Sequence, residues 1–253
     1  MLKLIKELIK QIRIYIIQSI FITKTQKLKV NKENTMIIAP HPDDETFGCG
    51  GLISKKIELN ANVYIIFLTN GENSLQDVNK AEIIKNRKES TINALSKLGV
   101  SYKNIFWLNY NDGSIPRKGS DEFNVLTDKI YKIIDEYKIK ELYTPHYFEG
   151  WSDHIAAYEI GLDVFKKANI TLYLYFVWTL YYLKLKQLFN IKWNNLYLLN
   201  LKDIFLLKQA AMNIYFKSKS KNGKLYIGNL PKAFINSFKW RYEIFEKVNK
   251  NEI

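Results

Sequence analysis

Apolar residues recur at helical spacing through the first 22 positions. Leu4, Ile5, Leu8, Ile9, Ile12, Ile16 and Ile20 follow one side, and Lys3, Lys6, Lys10 and Arg13 fall mainly on the other. This predicts an amphipathic, basic N-terminal helix. From Lys29 onward the pattern changes to short apolar runs alternating with helical periodicity. Residues 35–40, 62–69, 104–108 and 141–144 read as strands, and 48–60, 79–98 and 122–137 as the helices between them. Such alternation builds βαβ units, so the expected fold class is α/β: a Rossmann-like three-layer sandwich around a mainly parallel sheet, with the amphipathic helix added. Further on, 171–178 and 195–199 read as buried strands, 203–218 as a helix and the stretch from Pro231 as a helical tail. Thr179 to Trp193 is aromatic and basic and fits a lid, an interfacial surface or ordinary core. No repeat or long linker divides the chain, which is expected to comprise a helix and linker at 1–28 and one domain at 29–253.

Candidate chemistry gathers at two strand ends. The apolar run Met36 to Ala39 breaks at Pro40 into His41-Pro42-Asp43-Asp44-Glu45, then Gly48-Cys49-Gly50-Gly51. An imidazole and three carboxylates within five residues, at the end of a buried strand, concentrate negative charge where desolvation is costly unless a cation compensates. A solvated acidic turn at a helix N-terminus is the plainer alternative. A second cluster, His146 to His154, tips the balance toward a metal. It too follows a strand-like segment and precedes an amphipathic helix, and parallel strands bring such loops to one edge of a sheet. A catalytic zinc typically takes three protein ligands and keeps a fourth position open. His41 and Asp44 from the first loop and His154 from the second supply two imidazoles and one carboxylate. The glycines match neither dinucleotide-binding nor Walker spacing and are expected to allow close packing where the loop turns into its helix.

Composition narrows the setting. Of 253 residues, 47% are hydrophobic and 25% charged, as in a globular protein with a real core. The lone Cys49 excludes an intrachain disulfide framework, fits a reducing, cytoplasmic setting, and among glycines reads as a packing residue rather than a nucleophile. A net charge of +13, from 38 Lys and Arg against 25 Asp and Glu, favours an anionic partner. Zinc-finger spacing, an aromatic RNA-binding signature and a continuous basic region are all missing, which argues against nucleic acid. An anionic membrane surface, a phosphorylated substrate or a plain solvated surface each accounts for the charge. Residues 1–22 favour the membrane: a helix lying in the interface would hold the protein peripherally at the inner face. Packing on the body or on a second copy is the alternative. The uncharged run Ile14 to Ile22 is well short of the roughly 20 residues that cross a bilayer, and no small-residue cleavage site follows it.

His41-Pro42-Asp43-Asp44-Glu45 followed by Gly50-Gly51, with Ser152-Asp153-His154 downstream, resembles the PIG-L/LmbE-like zinc-dependent de-N-acetylases. Leu68-Thr69-Asn70-Gly71-Glu72, Arg87 with Glu89, and Asn111-Asp112-Gly113 fall in that family's order. A weaker match, Lys208 to Ser218 with Glu243 and Phe245, lies near the C-terminus. The resemblance implies a Rossmann-like fold and Zn2+ held by His41, Asp44 and His154. It also implies Asp43 as general base, and Arg87 and Asp112 as positions that hold substrate. The implied reaction is hydrolysis of an N-acetyl group on an amino sugar or sugar conjugate, such as a lipid-linked or polysaccharide-biosynthesis intermediate. Glu45 and Asp153 read as residues that orient ligands.

One departure affects the proton balance. Many family members carry a histidine where Trp151 stands, and tryptophan cannot donate a catalytic proton. His146 is the candidate to reach in from upstream as the acid, with a loop hydrogen bond as its plainer role and Asp43 as the alternative carrier. Two other functions fit the same residues: a metal hydrolase of another bond, and a catalytically weak membrane- or saccharide-binding relative.

Overall fold

The computed structural model describes residues 2–252. Its centre is set by two apolar runs, β2 (Thr35–Ala39) and β3 (Val63–Thr69), in which every residue is buried. Strands without a polar face must be covered on both sides, and helices cover them here. Ile37, Ile65 and Phe67 point toward α2 (Asp44–Glu58), α3 (Lys80–Lys97) and α7 (Phe205–Lys217). The alternate residues Met36, Ile38, Ile66 and Leu68 point toward α4 (Asp121–Glu136) and α5 (Ser152–Lys167). The result is a three-layer α/β sandwich.

The sheet has eight strands in the order β1-β7-β8-β6-β5-β2-β3-β4, completed by β1 (Gln26–Lys27), β4 (Ile105–Tyr110), β5 (Glu141–Pro145), β6 (Thr171–Tyr175), β7 (Leu196–Asn200) and β8 (Tyr242–Lys247). All pairings are parallel except those of β8, which runs antiparallel to both neighbours. From β2 the chain winds outward through β3 to β4, then returns to lay β5 on the other side of β2. The direction of winding therefore reverses between β2 and β5. At such a switch point the loops leaving neighbouring strand ends diverge and leave a crevice.

The mainly parallel sheet and the N-terminal helix agree with expectation; three boundaries do not. α2 starts at Asp44 rather than Gly48, which puts Asp44 and Glu45 in its first turn, where the exposed amides of a helix favour negative charge. The strand from Thr171 stops at Tyr175, and the aromatic stretch after it forms α6 (Thr179–Tyr182) and irregular turns. The expected helical tail is instead a short α8 (Lys232–Ser237) followed by β8. Two charges, Glu243 and Glu246, interrupt the apolar pattern of β8. Each is buried because it has a partner, Lys208 for Glu243 and His146 for Glu246.

The Lys208–Glu243 pair braces α2. Glu243 accepts the N–H groups of Gly51 and Leu52 at 2.6 and 2.8 Å, and Lys208 Nζ donates to the Phe47 carbonyl and to Glu243, both at 2.7 Å. Gly51 permits this approach, since a Cβ there would lie 2.3 Å from Leu201 and 3.1 Å from the Glu243 carboxylate. Lys208→Met strands a buried carboxylate and is expected to destabilise the protein by about 3–5 kcal/mol. Lys208→Met with Glu243→Leu should cost less than the single change. Denaturant unfolding checks this, and a single-variant loss under about 1 kcal/mol would contradict the brace.

Candidate metal centre

The loop after β2 and the first turn of α5 meet over the crevice. His41 Nδ1 lies 3.3 Å from Asp44 Oδ2, and His154 Nε2 lies 3.4 Å from the same oxygen. With metal–ligand bonds of about 2.1 Å, a tetrahedral site has donors about 3.4 Å apart, so these spacings fit a zinc-sized ion. Each histidine turns its other nitrogen to an outlying carboxylate. His41 Nε2 faces Asp112 Oδ1 at 3.2 Å and Asp153 Oδ2 at 3.3 Å, and His154 Nδ1 faces Glu149 Oε2 at 3.2 Å. At His41 an Nε2–H given to Asp153 leaves the Nδ1 lone pair toward Asp44, the arrangement that orients metal-binding histidines; His154 Nδ1 lies beside the Glu149 carboxylate without a hydrogen bond to it. His41, Asp112 and Asp153 form a second cluster of possible ligands that shares His41 with the first.

The electrostatics show a site short of positive charge. Desolvation opposes a charged His41, yet hydrogen bonding to Asp112, Asp153 and Asp44 raises its pKa well above the ordinary range. For Asp112 burial pushes upward, but His41, the Asn73 amide and Arg87 outweigh it and hold the carboxyl at about 2. Burial raises Glu45 to about 7 in spite of bonds from Thr46, Tyr215 and the Asp43 amide. Asp43 is also raised well above the usual carboxylate range, by burial and by the charges of Asp44 and Glu45.

Asp43 is held in a backbone conformation with φ 139°, which L residues rarely adopt and which persists only where the surroundings enforce it. Its N–H donates to Glu45 Oε2, and Arg87 fixes its neighbours by donating to the Pro42 carbonyl at 2.8 Å and to the Gly71 carbonyl at 3.1 Å. The Arg87 guanidinium lies 3.4 Å from Asp43 Oδ1. Gly71, at φ +66°, makes room for it, since a Cβ would lie 2.5 Å from that guanidinium. Arg87 thus reaches the cavity wall with its terminal nitrogens directed at main chain and Asp43.

His41, Asp43, Asp44, Arg87, Asp112 and His154 all line one cavity of about 450 Å³, walled on its apolar side by Phe47, Trp151, Trp178 and Phe234. His146 is the expected residue that is not brought there. It is buried under Tyr147, Phe148 and Phe176, with Nε2 2.8 Å from Glu246 and Nδ1 accepting the Phe148 N–H. Trp151 stands at the cavity with half its surface exposed and packs edge-on against Trp178.

Glu149 is the residue the sequence reading missed. Wholly buried, it accepts the N–H groups of Val177, Trp178 and Thr179 and the Thr179 hydroxyl, and so ties the loop before α5 to the end of β6 behind His154. It lies within the stretch His146 to His154, but nothing in its type or spacing distinguishes it. Its signal is three amides that lie about thirty residues away in sequence.

A family model described as PIG-L: GlcNAc-PI de-N-acetylase matches residues 36–165, which include every residue of both clusters of possible ligands. Among curated proteins, the chain is 26% identical over 132 residues to the uncharacterized deacetylase YaiS of Escherichia coli (strain K12), covering 52% of this chain and 67% of that protein. It is 35% identical over 121 residues to a probable N-acetyl-alpha-D-glucosaminyl L-malate deacetylase 2 of Bacillus subtilis (strain 168), covering 42% of this chain and 48% of the relative, about half its length. In fold it resembles the N,N'-diacetylchitobiose deacetylase of Pyrococcus horikoshii, with a TM-score of 0.64 at 18% identity, over 85% of this chain and 84% of that one.

If Glu149 orients His154, Glu149→Gln should lower zinc affinity by about 10- to 100-fold while the far-ultraviolet circular dichroism stays unchanged. Competition titration against a chelating dye measures this. Unaltered affinity would mean that the ring is held by packing alone.

Proposed function

The chain belongs to the PIG-L family, and from that membership we propose that it hydrolyses an N-acetyl group on an amino sugar or sugar conjugate, with zinc held by His41, Asp44 and His154. The observation that carries the reading is the convergence of these three donors and Asp43 in one cavity, of a volume that suits a small saccharide. A lipid carrier or a polysaccharide precursor would extend from that cavity. Trp151 and Trp178 offer the apolar faces on which a sugar ring can rest, and Asp112 a carboxylate for a hydroxyl.

A divalent ion in this position supplies Lewis acidity, polarising the acetyl carbonyl and lowering the pKa of a water from 15.7 to about 7. Asp43 accepts the proton of the attacking water, and Arg87 keeps the carboxylate directed into the cavity. The leaving amine needs a proton. With Trp151 at the family's histidine position and His146 engaged by Glu246, Asp43 serves in turn as base and acid. His41 stays fixed by Asp112 and Asp153, while the Glu149 carboxylate lies beside the His154 ring.

The direct test is mass spectrometry of acetate and free amine released from a panel of N-acetyl sugars, with and without a chelator. Chelation should abolish release, and zinc should restore it. Turnover of esters or phosphoesters alone would reject the amide assignment. Asp43→Asn should retain bound zinc and lose about 10²- to 10⁴-fold in turnover, whereas Asp44→Asn should lose the metal itself. Equal metal loss in both would overturn the division of roles.

The His146 geometry gives a separate expectation. His146→Gln should leave the pH profile of turnover unchanged, because the ring lies outside the cavity. Disappearance of a basic limb would return the acid role to His146.

A further inference from the structure

α1 (Leu2–Lys24) turns three of its charged residues, Glu7, Lys10 and Arg13, toward the body. Glu7 accepts from the Tyr181 hydroxyl and from the Ala233 N–H, Lys10 lies 3.9 Å over the Tyr181 ring, and Arg13 donates to the Tyr181 carbonyl. Lower down, Ile14, Ile17 and Phe21 are buried against the body. What faces outward is apolar: Leu4, Leu8, Ile9, Ile12 and Tyr15 are each between 51% and 68% exposed. A helix on a water-facing surface carries its polar residues outward. A row of large apolar side chains over about three turns is an exposed patch of the kind that marks a contact with something else.

We propose that this face of α1, with the neighbouring turn at Leu185–Asn190, docks on an anionic membrane surface. The turn extends the patch: Phe189 is 91% exposed and Leu185 43%, and Phe21 of α1 meets Trp193, just beyond the turn, with ring centroids 5.3 Å apart. Exposed lysines rim the patch, Lys6 and Lys24 on α1 and Lys184 and Lys186 beside the turn. The rim decides the occupant. Glu7 is the sole acidic residue of α1 and is turned inward, so pairing this face with its copy would set lysine against lysine in either orientation. Acidic lipid headgroups complement such a rim while the apolar residues enter the acyl boundary. No helix among the described residues is long and apolar enough to cross a bilayer, so α1 would lie in the plane of the interface.

The inference does not depend on the proposed reaction, but it places the membrane near the reaction's cavity. Tyr181, which α1 grips, contacts Trp178, and Trp178 stacks on Phe234 with centroids 3.8 Å apart; both rings line the cavity.

The test is co-sedimentation of the full chain with vesicles of phosphatidylcholine, with and without phosphatidylglycerol, and light scattering without lipid. Binding is expected on the anionic vesicles and should weaken as salt screens the rim. Leu8→Ser with Ile12→Ser and Ile16→Ser should reduce it by about tenfold or more at an unchanged melting temperature. Lys6→Gln with Lys24→Gln should reduce it and flatten the salt dependence. Full-length protein that ignores anionic vesicles at low salt would overturn the proposal. So would a dimer that the triple substitution converts to monomer, since the face would then belong to a second copy.

Discussion

Carboxylates that share a poorly hydrated space repel one another, and Asp43, Asp44, Glu45, Asp112, Glu149 and Asp153 are held around two imidazoles at the ends of β2 and β5. Most of them are answered within the protein: Asp43 by Arg87, Glu149 by three amides and a hydroxyl, Glu45 by Tyr215 and Thr46, Asp112 by the Asn73 amide. Asp44 accepts the main-chain N–H of His41 and lies between His41 and His154, with an imidazole nitrogen on either side. A divalent cation would satisfy all three at once, and the surrounding architecture holds the cluster in place.

That support comes from elements well outside the cavity. The sheet's change of winding direction brings the two loops together, and the buried Lys208–Glu243 pair anchors α2 at Phe47, Gly51 and Leu52, behind Asp44 in its first turn. Arg87 and Gly71 maintain the unusual backbone of Asp43. Geometry of this kind is over-determined: a strained residue survives because several independent contacts would have to fail together.

The layers of the fold were legible because β2 and β3 are continuous apolar runs and α3 and α4 keep helical periodicity. The His41 loop was legible because its charge density has few structural explanations. β8 was not, since Glu243 and Glu246 disguise a central strand whose charges become tolerable only beside Lys208 and His146. Glu149 was invisible because the groups that give it meaning belong to another strand. For α1 the sequence revealed two faces, but its orientation depends on Tyr181 and α8, which receive the charged side.

β8 lies between β6 and β7 although it follows both in sequence, and its Glu243 reaches back 192 positions to the Gly51 amide. During synthesis the strands around β2 can therefore assemble while the β1–β7 pair still lacks its link to them. Until β8 is inserted, the start of α2 has no Glu243 to hold it, and the ligand loop rests on an unfinished support. Closing the sheet and bracing α2 are thus one step, and the long loop that this insertion must close carries its entropic cost.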